Sequence, residues 1–238
     1  MIPCPACELV AVPLFGGFCP NNQCPRHLTV HPTYDRIFAL AHPWSLLSWA
    51  QGFTLFGAAK RVPLDGEFAE FGVYRGGSAL ILHHSDPDRL LNLFDTFEGH
   101  PNVHNLQHDR PGSHLVGTLG NTSQEAVAQV LYDQGRGTGV RYWKGVFPDE
   151  IPVEQIPPLA LVHVDVDLWA SATAALAVFG ERLVPGGILV MDDYGTDECP
   201  GVIEAVEDWA TAQGDRFTIE RTAYPTYQAI ITKRNGAR

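Results

Sequence analysis

Positive charge is scarce in this sequence. Sixteen Lys and Arg stand against 27 Asp and Glu in 238 residues, a formal net charge of −11. So acidic a chain is a poor partner for a phosphate backbone read without regard to sequence, although an anionic ligand in a local pocket stays open. No apolar run is long enough to span a bilayer. No Lys or Arg precedes Arg26, so a secretory n-region is missing and the expected location is cytoplasmic. Internal repeats and low-complexity tracts are absent as well. Charged residues are only 18% of the chain and apolar ones 45%, the balance of a folded globular protein. Its length suits one α/β domain with a full core and a small appendage.

What is present alternates. Residues 33–60 read as helical, with Pro43 as punctuation. After Val62-Pro63 come short apolar strands at 67–72, 89–97, 140–145, 158–166 and 188–193. Helices are expected at 78–85, 123–135, 171–183 and 202–214, and Val184-Pro185-Gly186-Gly187 is expected to stop the third of these. Residues 216–222 and 227–234 are expected to close the fold as an antiparallel hairpin. The run 158–166 is apolar without a break, as in a strand buried on both faces. The implied architecture is α/β, a mostly parallel seven-stranded sheet with helices on both faces. Ligands of such sheets bind outside the carboxyl ends of the strands. Those ends carry Glu70 to Ser78, Asp95, Gly145 to Asp149, Asp165 to Trp169 and Asp192 to Tyr194, a strongly acidic set.

Three of these segments carry chemistry. In Glu70-Phe-Gly-Val-Tyr-Arg-Gly-Gly-Ser78, glycines 72, 76 and 77 permit a sharp turn and close approach to a ligand. The spacing is not GxGxxG, and no Lys-Ser/Thr pair follows, so dinucleotide and P-loop readings fail. An acid before the turn suits an amino group or a sulfonium, not a pyrophosphate. Asp95 ends the second strand, where an acid accepts hydrogen bonds from ribose hydroxyls or caps a turn. Asp165-Val-Asp167 and Asp192-Asp193 end neighbouring strands. Four carboxylates there repel one another unless a cation intervenes, and oxygen ligands favour Mg²⁺, with Mn²⁺ or Ca²⁺ behind it.

EFGVYRGGSA, LFDTFEG, GVFPDEIP, VHVDVDLWAS and VPGGILVMDDYG, in that order, resemble the macrocin (TylF-type) O-methyltransferases, from about residue 33 to the end. The first motif is also similar to that of catechol O-methyltransferase. The resemblance implies a Rossmann-like class I methyltransferase using S-adenosylmethionine and Mg²⁺ on a hydroxyl of a sugar or natural product; the runner-up acceptor is a catechol or phenol. Carried over, Glu70, Gly72, Tyr74, Gly76 and Ser78 would meet the methionine end of the cofactor, Asp95 and Thr96 the ribose, and Asp165 the cofactor as well. Asp165, Asp192 and Asp193 would bind Mg²⁺. The catechol enzymes have a Lys three residues after the first metal aspartate, and this chain has Leu168 there. Asp165 or Asp167 is therefore the expected base, with His163 a weaker candidate. Trp169 replaces a common Tyr.

The first 30 residues lie outside that pattern. Cys4-x2-Cys7 and Cys19-x4-Cys24 suit tetrahedral Zn²⁺, or iron, in a small knuckle, and a cytoplasmic chain disfavours disulfides. Cys199 reads as a packed or loop cysteine. The expected divisions are thus 1–30 as a zinc knuckle, 31–62 as a helical cap and 63–238 as the methyltransferase domain. Residues 98–118, with four histidines and two prolines, are expected to form a non-helical loop, a mobile lid or a solvated surface. A non-catalytic adaptor on the same scaffold is the other class of function. The helical 33–60 segment is available to pair two copies.

Overall fold

The computed structural model describes residues 31–236. The four N-terminal cysteines and the zinc expected on them lie outside the described residues.

Two helices lead. α1 (Pro32–Ala41) opens on a proline at its first turn and an accepting His31 side chain. α2 (Trp49–Ala59) opens on a capping box, in which Ser48 accepts from the Gln51 amide and the Gln51 side chain accepts from the Ser48 amide. The sheet and its helices follow: β1 (Glu67–Phe71), α3 (Gly77–Ser85), β2 (Leu91–Asp95), α4 (Gln124–Asp133), β3 (Val140–Lys144), β4 (Leu159–Val164), α5 (Trp169–Arg182), β5 (Leu183–Met191), α6 (Pro200–Gln213), β6 (Phe217–Arg221) and β7 (Ala229–Lys233). Strand order is β3-β2-β1-β4-β5-β7-β6, with β7 antiparallel to both neighbours and the rest parallel.

The expected elements are all found, with one difference. The 184–187 turn does not separate α5 from a strand beginning at 188. Strand pairing starts at Leu183, opposite Leu159, and the β4–β5 register then shifts before Leu161 meets Ile188. The turn is absorbed as an irregularity at the start of β5.

Each sheet face has its own core. Helices α1 to α4 cover one face, where Tyr34, Phe53, Leu80, Ile81 and Leu131 meet Phe68, Leu91, Leu93 and Leu161. Helices α5 and α6 cover the other, where Ala172, Leu176, Phe179 and Val202 meet Phe71, Phe94, Val162 and Leu189. Every residue of β4 is buried, as its unbroken apolar sequence requires. From β1 the chain winds outward to β2 and β3, then returns to β4 on β1's other side. The carboxyl ends of β1 and β4 therefore diverge and leave a crevice. Among the described residues, no helix is long and apolar enough to cross a membrane.

Candidate active site

A cavity of about 250 Å³ opens in that crevice. Its first wall is the turn from β1 to α3. Gly72 (φ +89°) and Gly76 (φ +87°) occupy the left-handed region, and a Cβ on Gly72 would overlap the carbonyl oxygen of Asp165. Asp95 organises this turn. Its Oδ2 accepts from the amides of Val73 (2.6 Å) and Tyr74 (3.1 Å), and its Oδ1 accepts from Phe97 (2.7 Å). Gly72, Tyr74, Ser78, Asp95 and Thr96 all line the cavity. The Thr96 hydroxyl donates back to the Gly99 carbonyl at 2.7 Å.

The second wall is acidic. Asp165, Asp167 and Asp193 line it. Regular strand ends at Val164 and Asp167 has φ +63°, so it reaches the cavity by a turn and not by strand alternation. Burial, then the charges of Asp192 and Asp167, push Asp165 well above the carboxylate range. Burial and the charges of Asp165, Asp167 and Asp192 push Asp193 up to about 10. Asp167 goes the other way. Burial would raise it, but His100, Asp193 and His114 outweigh burial and hold it low.

Three residues expected at ligands are not on the cavity wall. Glu70 is fully buried one layer behind, in register with His163 across β1 and β4. Gly76 faces Val127 of α4. Asp192 is buried and turned toward His163. The His163 ring joins the two acids, with Nδ1 2.8 Å from Glu70 Oε1 and Nε2 2.6 Å from Asp192 Oδ2. Burial alone would lower this imidazole. The hydrogen bonds and charges of Asp192 and Glu70 prevail and raise it well above its ordinary value. His163 is thus an internal cation, and it relieves part of the repulsion that the sequence assigns to a metal. Asp192 and Asp193, though adjacent, join different groups. Asp165 and Asp192 cluster with His163, while Asp193 clusters with Asp167 and Cys199. β5 ends at Met191, and Asp193 beyond it has φ +59°.

Other parts of the wall carry no sequence signal. Trp44 to Leu47, between α1 and α2, line the cavity with Gln51, whose Nε2 reaches Asp192 Oδ1 at 3.4 Å. Residues 98–118 form a non-helical loop, as expected. Asp109 pins it, accepting from the amides of Asn105 (2.7 Å) and Trp169 (2.8 Å). The loop brings His100 and His114 onto Asp167 and stacks His108 on Trp169.

A parallel sheet reversed between β1 and β4, closed by an antiparallel β7, with its cavity at the carboxyl ends, defines the Rossmann-like methyltransferase fold. Solved structures agree on the fold. The O-methyltransferase NovP superposes with a TM-score of 0.68 at 22% identity, over 81% of this chain and 82% of that one. The O-methyltransferase TomG from Streptomyces achromogenes superposes with a TM-score of 0.55 at 15% identity, over 87% and 91%. The family model for macrocin O-methyltransferase (TylF) matches residues 58–223, and the chain belongs to that family. Relatives include the 8-demethyl-8-(2,3-dimethoxy-alpha-L-rhamnosyl)-tetracenomycin-C 4'-O-methyltransferase of Streptomyces olivaceus, 32% identical over 165 residues, 63% of this chain and 60% of the relative. Another is the demethyldecarbamoylnovobiocin O-methyltransferase of Streptomyces niveus, 30% identical over 156 residues, 61% and 58%. The chain thus spans about three fifths of the length of the curated relatives it matches.

Proposed function

We propose that the protein transfers a methyl group from S-adenosylmethionine to a hydroxyl of a sugar-containing small molecule, aided by Mg²⁺. One observation carries this reading: the family match from 58 to 223 takes in the glycine turn, Asp95 and the whole run from Asp165 to Asp193, which bound the cavity. The name of the Streptomyces olivaceus relative, a 4'-O-methyltransferase of a rhamnosyl-tetracenomycin, supports the acceptor class.

The turn residues fit the cofactor. Gly72 and Tyr74 offer backbone close to the ligand, and the Ser78 hydroxyl lies at the start of α3. Asp95 shapes the turn with three accepted amides and keeps an edge on the cavity for ribose hydroxyls. Glu70 acts from behind by holding His163; its Oε2 is buried without a hydrogen bond. Bound adenosylmethionine supplies an electrophilic methyl group on sulfur, so the protein's work is to orient the reactants and take a proton.

Asp167 is the residue for that proton. Its carboxylate form is favoured, it lines the cavity, and no Lys is available at 168. Asp165 and Asp193, raised by burial and by neighbouring carboxylates, would hold a divalent cation, and Asp192, though its Oδ2 is turned to His163, would offer it the Oδ1 that the long Gln51 contact holds. Mg²⁺ there would relieve the repulsion and lower the pKa of the acceptor hydroxyl. Residues 31–62 act as a cap, through Trp44 to Leu47 and Gln51.

Calorimetric titration with adenosylmethionine, then mass spectrometry of products from a panel of glycosides and phenols, tests the reading. Binding and a 14-dalton gain on a glycoside are expected. No cofactor binding would leave a non-catalytic scaffold, and gain only on phenols would move the acceptor class. Turnover should fall in EDTA and return with Mg²⁺; full activity in EDTA removes the cation.

A further inference from the structure

Asp167 is met by two histidines that neither its strand nor the family motifs predict. They come from opposite ends of the 98–118 loop. His100 Nε2 lies 3.2 Å from Asp167 Oδ2, and His114 Nδ1 lies 3.5 Å from the same oxygen. The two rings stand edge to face, with centroids 5.3 Å apart. The three donor atoms lie within 4.8 Å of one another.

The His100 contact is unusual. Its Nε2 is shut off from solvent, and its near partner, Asp167 Oδ2, sits at an angle poor for a hydrogen bond. Its side chain is only 9% exposed. A buried ring nitrogen held by one poorly aligned carboxylate contact has room for a better partner. Ligand atoms about 2.0–2.2 Å from a common ion stand about 3.0–3.5 Å from each other, so the spacing around Asp167 Oδ2 is that of a shared coordination sphere. His114 is oriented for this. Its Nε2 lies 3.5 Å from Cys199 Sγ, and a proton on Nε2 leaves the Nδ1 lone pair facing Asp167. Cys199 itself is buried, and burial with the charges of Asp193 and Asp167 keeps it a thiol.

We propose that His100, His114 and Asp167 bind a borderline transition-metal ion of the Zn²⁺ class, a site separate from the carboxylates offered to Mg²⁺. Two imidazoles select against Mg²⁺, which prefers oxygen ligands and keeps its waters. The ion clips the loop to the end of β4 across the cavity. It also occupies the oxygen that would accept the hydroxyl proton, so zinc at this site inhibits methyl transfer where Mg²⁺ supports it.

The test is equilibrium dialysis of the whole chain against Zn²⁺ with metal analysis, repeated with Co²⁺ and visible spectroscopy. The N-terminal cysteines can hold an ion of their own, so the difference between variants is what counts. His100→Gln with His114→Gln should bind one equivalent fewer than wild type. His100→Gln alone should weaken that equivalent about tenfold or more. His104→Gln, on the same loop but outside the cluster, should keep it. Asp192→Asn should keep it too, which separates this site from the Mg²⁺ reading. Equal stoichiometry and affinity in wild type and in a folded His100→Gln variant would overturn the proposal.

Discussion

The two walls of the cavity are both built around aspartates, yet they solve the problem of a half-buried carboxylate in opposite ways. On the glycine-turn wall, Asp95 is satisfied by three backbone amides and shows no crowding. On the β4–β5 wall, Asp165, Asp167 and Asp193 face one another, and histidines offset them in part. The first wall is finished without a ligand, as preorganised binding requires. The second carries excess negative charge, which a cation or a proton must meet. A rigid shelf for one reactant and a charged, adjustable wall for the other suit a reaction whose methyl donor is fixed while its acceptor loses a proton.

The largest effect is expected behind the acidic wall. His163→Ala leaves Glu70 and Asp192 buried without their shared cation, a loss of about 3–5 kcal/mol. Chemical denaturation would read it. A loss under about 1 kcal/mol would mean that the imidazolium does not hold these acids, and the contrast between the walls would need another basis.

This role was hard to read from sequence. A single His inside VHVDV reads as a core residue, and only the register of β1 against β4 sets it opposite Glu70. The strands, the helices and the acids at the strand ends were legible, because buried parallel strands write long apolar runs and the crevice lies at their carboxyl ends. The division of Asp192 from Asp193 was not, because it depends on a left-handed residue where strand alternation stops. The loop was legible only as non-helical. Nothing in the spacing of His100 and His114 announces that turns pinned by Asp109 bring both onto Asp167.

Asp95→Asn tests the finished wall. A carboxylate accepts from Val73, Tyr74 and Phe97 through both oxygens, whereas an amide has one acceptor and turns an NH₂ toward amides. The expected cost is about 2–3 kcal/mol, with cofactor affinity down at least about tenfold. Unchanged adenosylmethionine affinity in calorimetry would show that the turn keeps its shape without the anion.

A smaller effect comes from His84, at the far end of the helix that starts on the turn. His163 is raised by two acids, but His84 has a cation for a neighbour. Burial and then Arg136 lower it to about 4, and the Arg136 Nε–H donates to its Nδ1 at 3.2 Å. Between pH 4 and an unfolded value near 6.5 the unfolded chain binds the extra proton, so stability rises with pH across that window. In His84→Gln this part of the melting-temperature slope should flatten. An unaltered slope would assign it to other groups.

The smallest change in stability is expected from the same chemical substitution as at Asp95, made on the other wall. Asp193 is pushed up to about 10, so near neutral pH it is a protonated acid with Asp167 as its hydrogen-bond partner. Asn has nearly the same shape and also carries a donor, so Asp193→Asn should change stability by no more than about 0.5 kcal/mol in the absence of added cation. Any gain in melting temperature that Mg²⁺ gives the wild type should vanish in the variant, because ligation needs the ionised carboxylate and Asn cannot supply it. Thermal melts of both proteins in EDTA and in excess Mg²⁺ read both quantities at once. If Asp193→Asn costs as much in EDTA as Asp95→Asn, Asp193 is a satisfied structural anion and the walls are alike. If it is silent in EDTA and still gains from Mg²⁺, the cation is held by Asp165 and Asp192 without it.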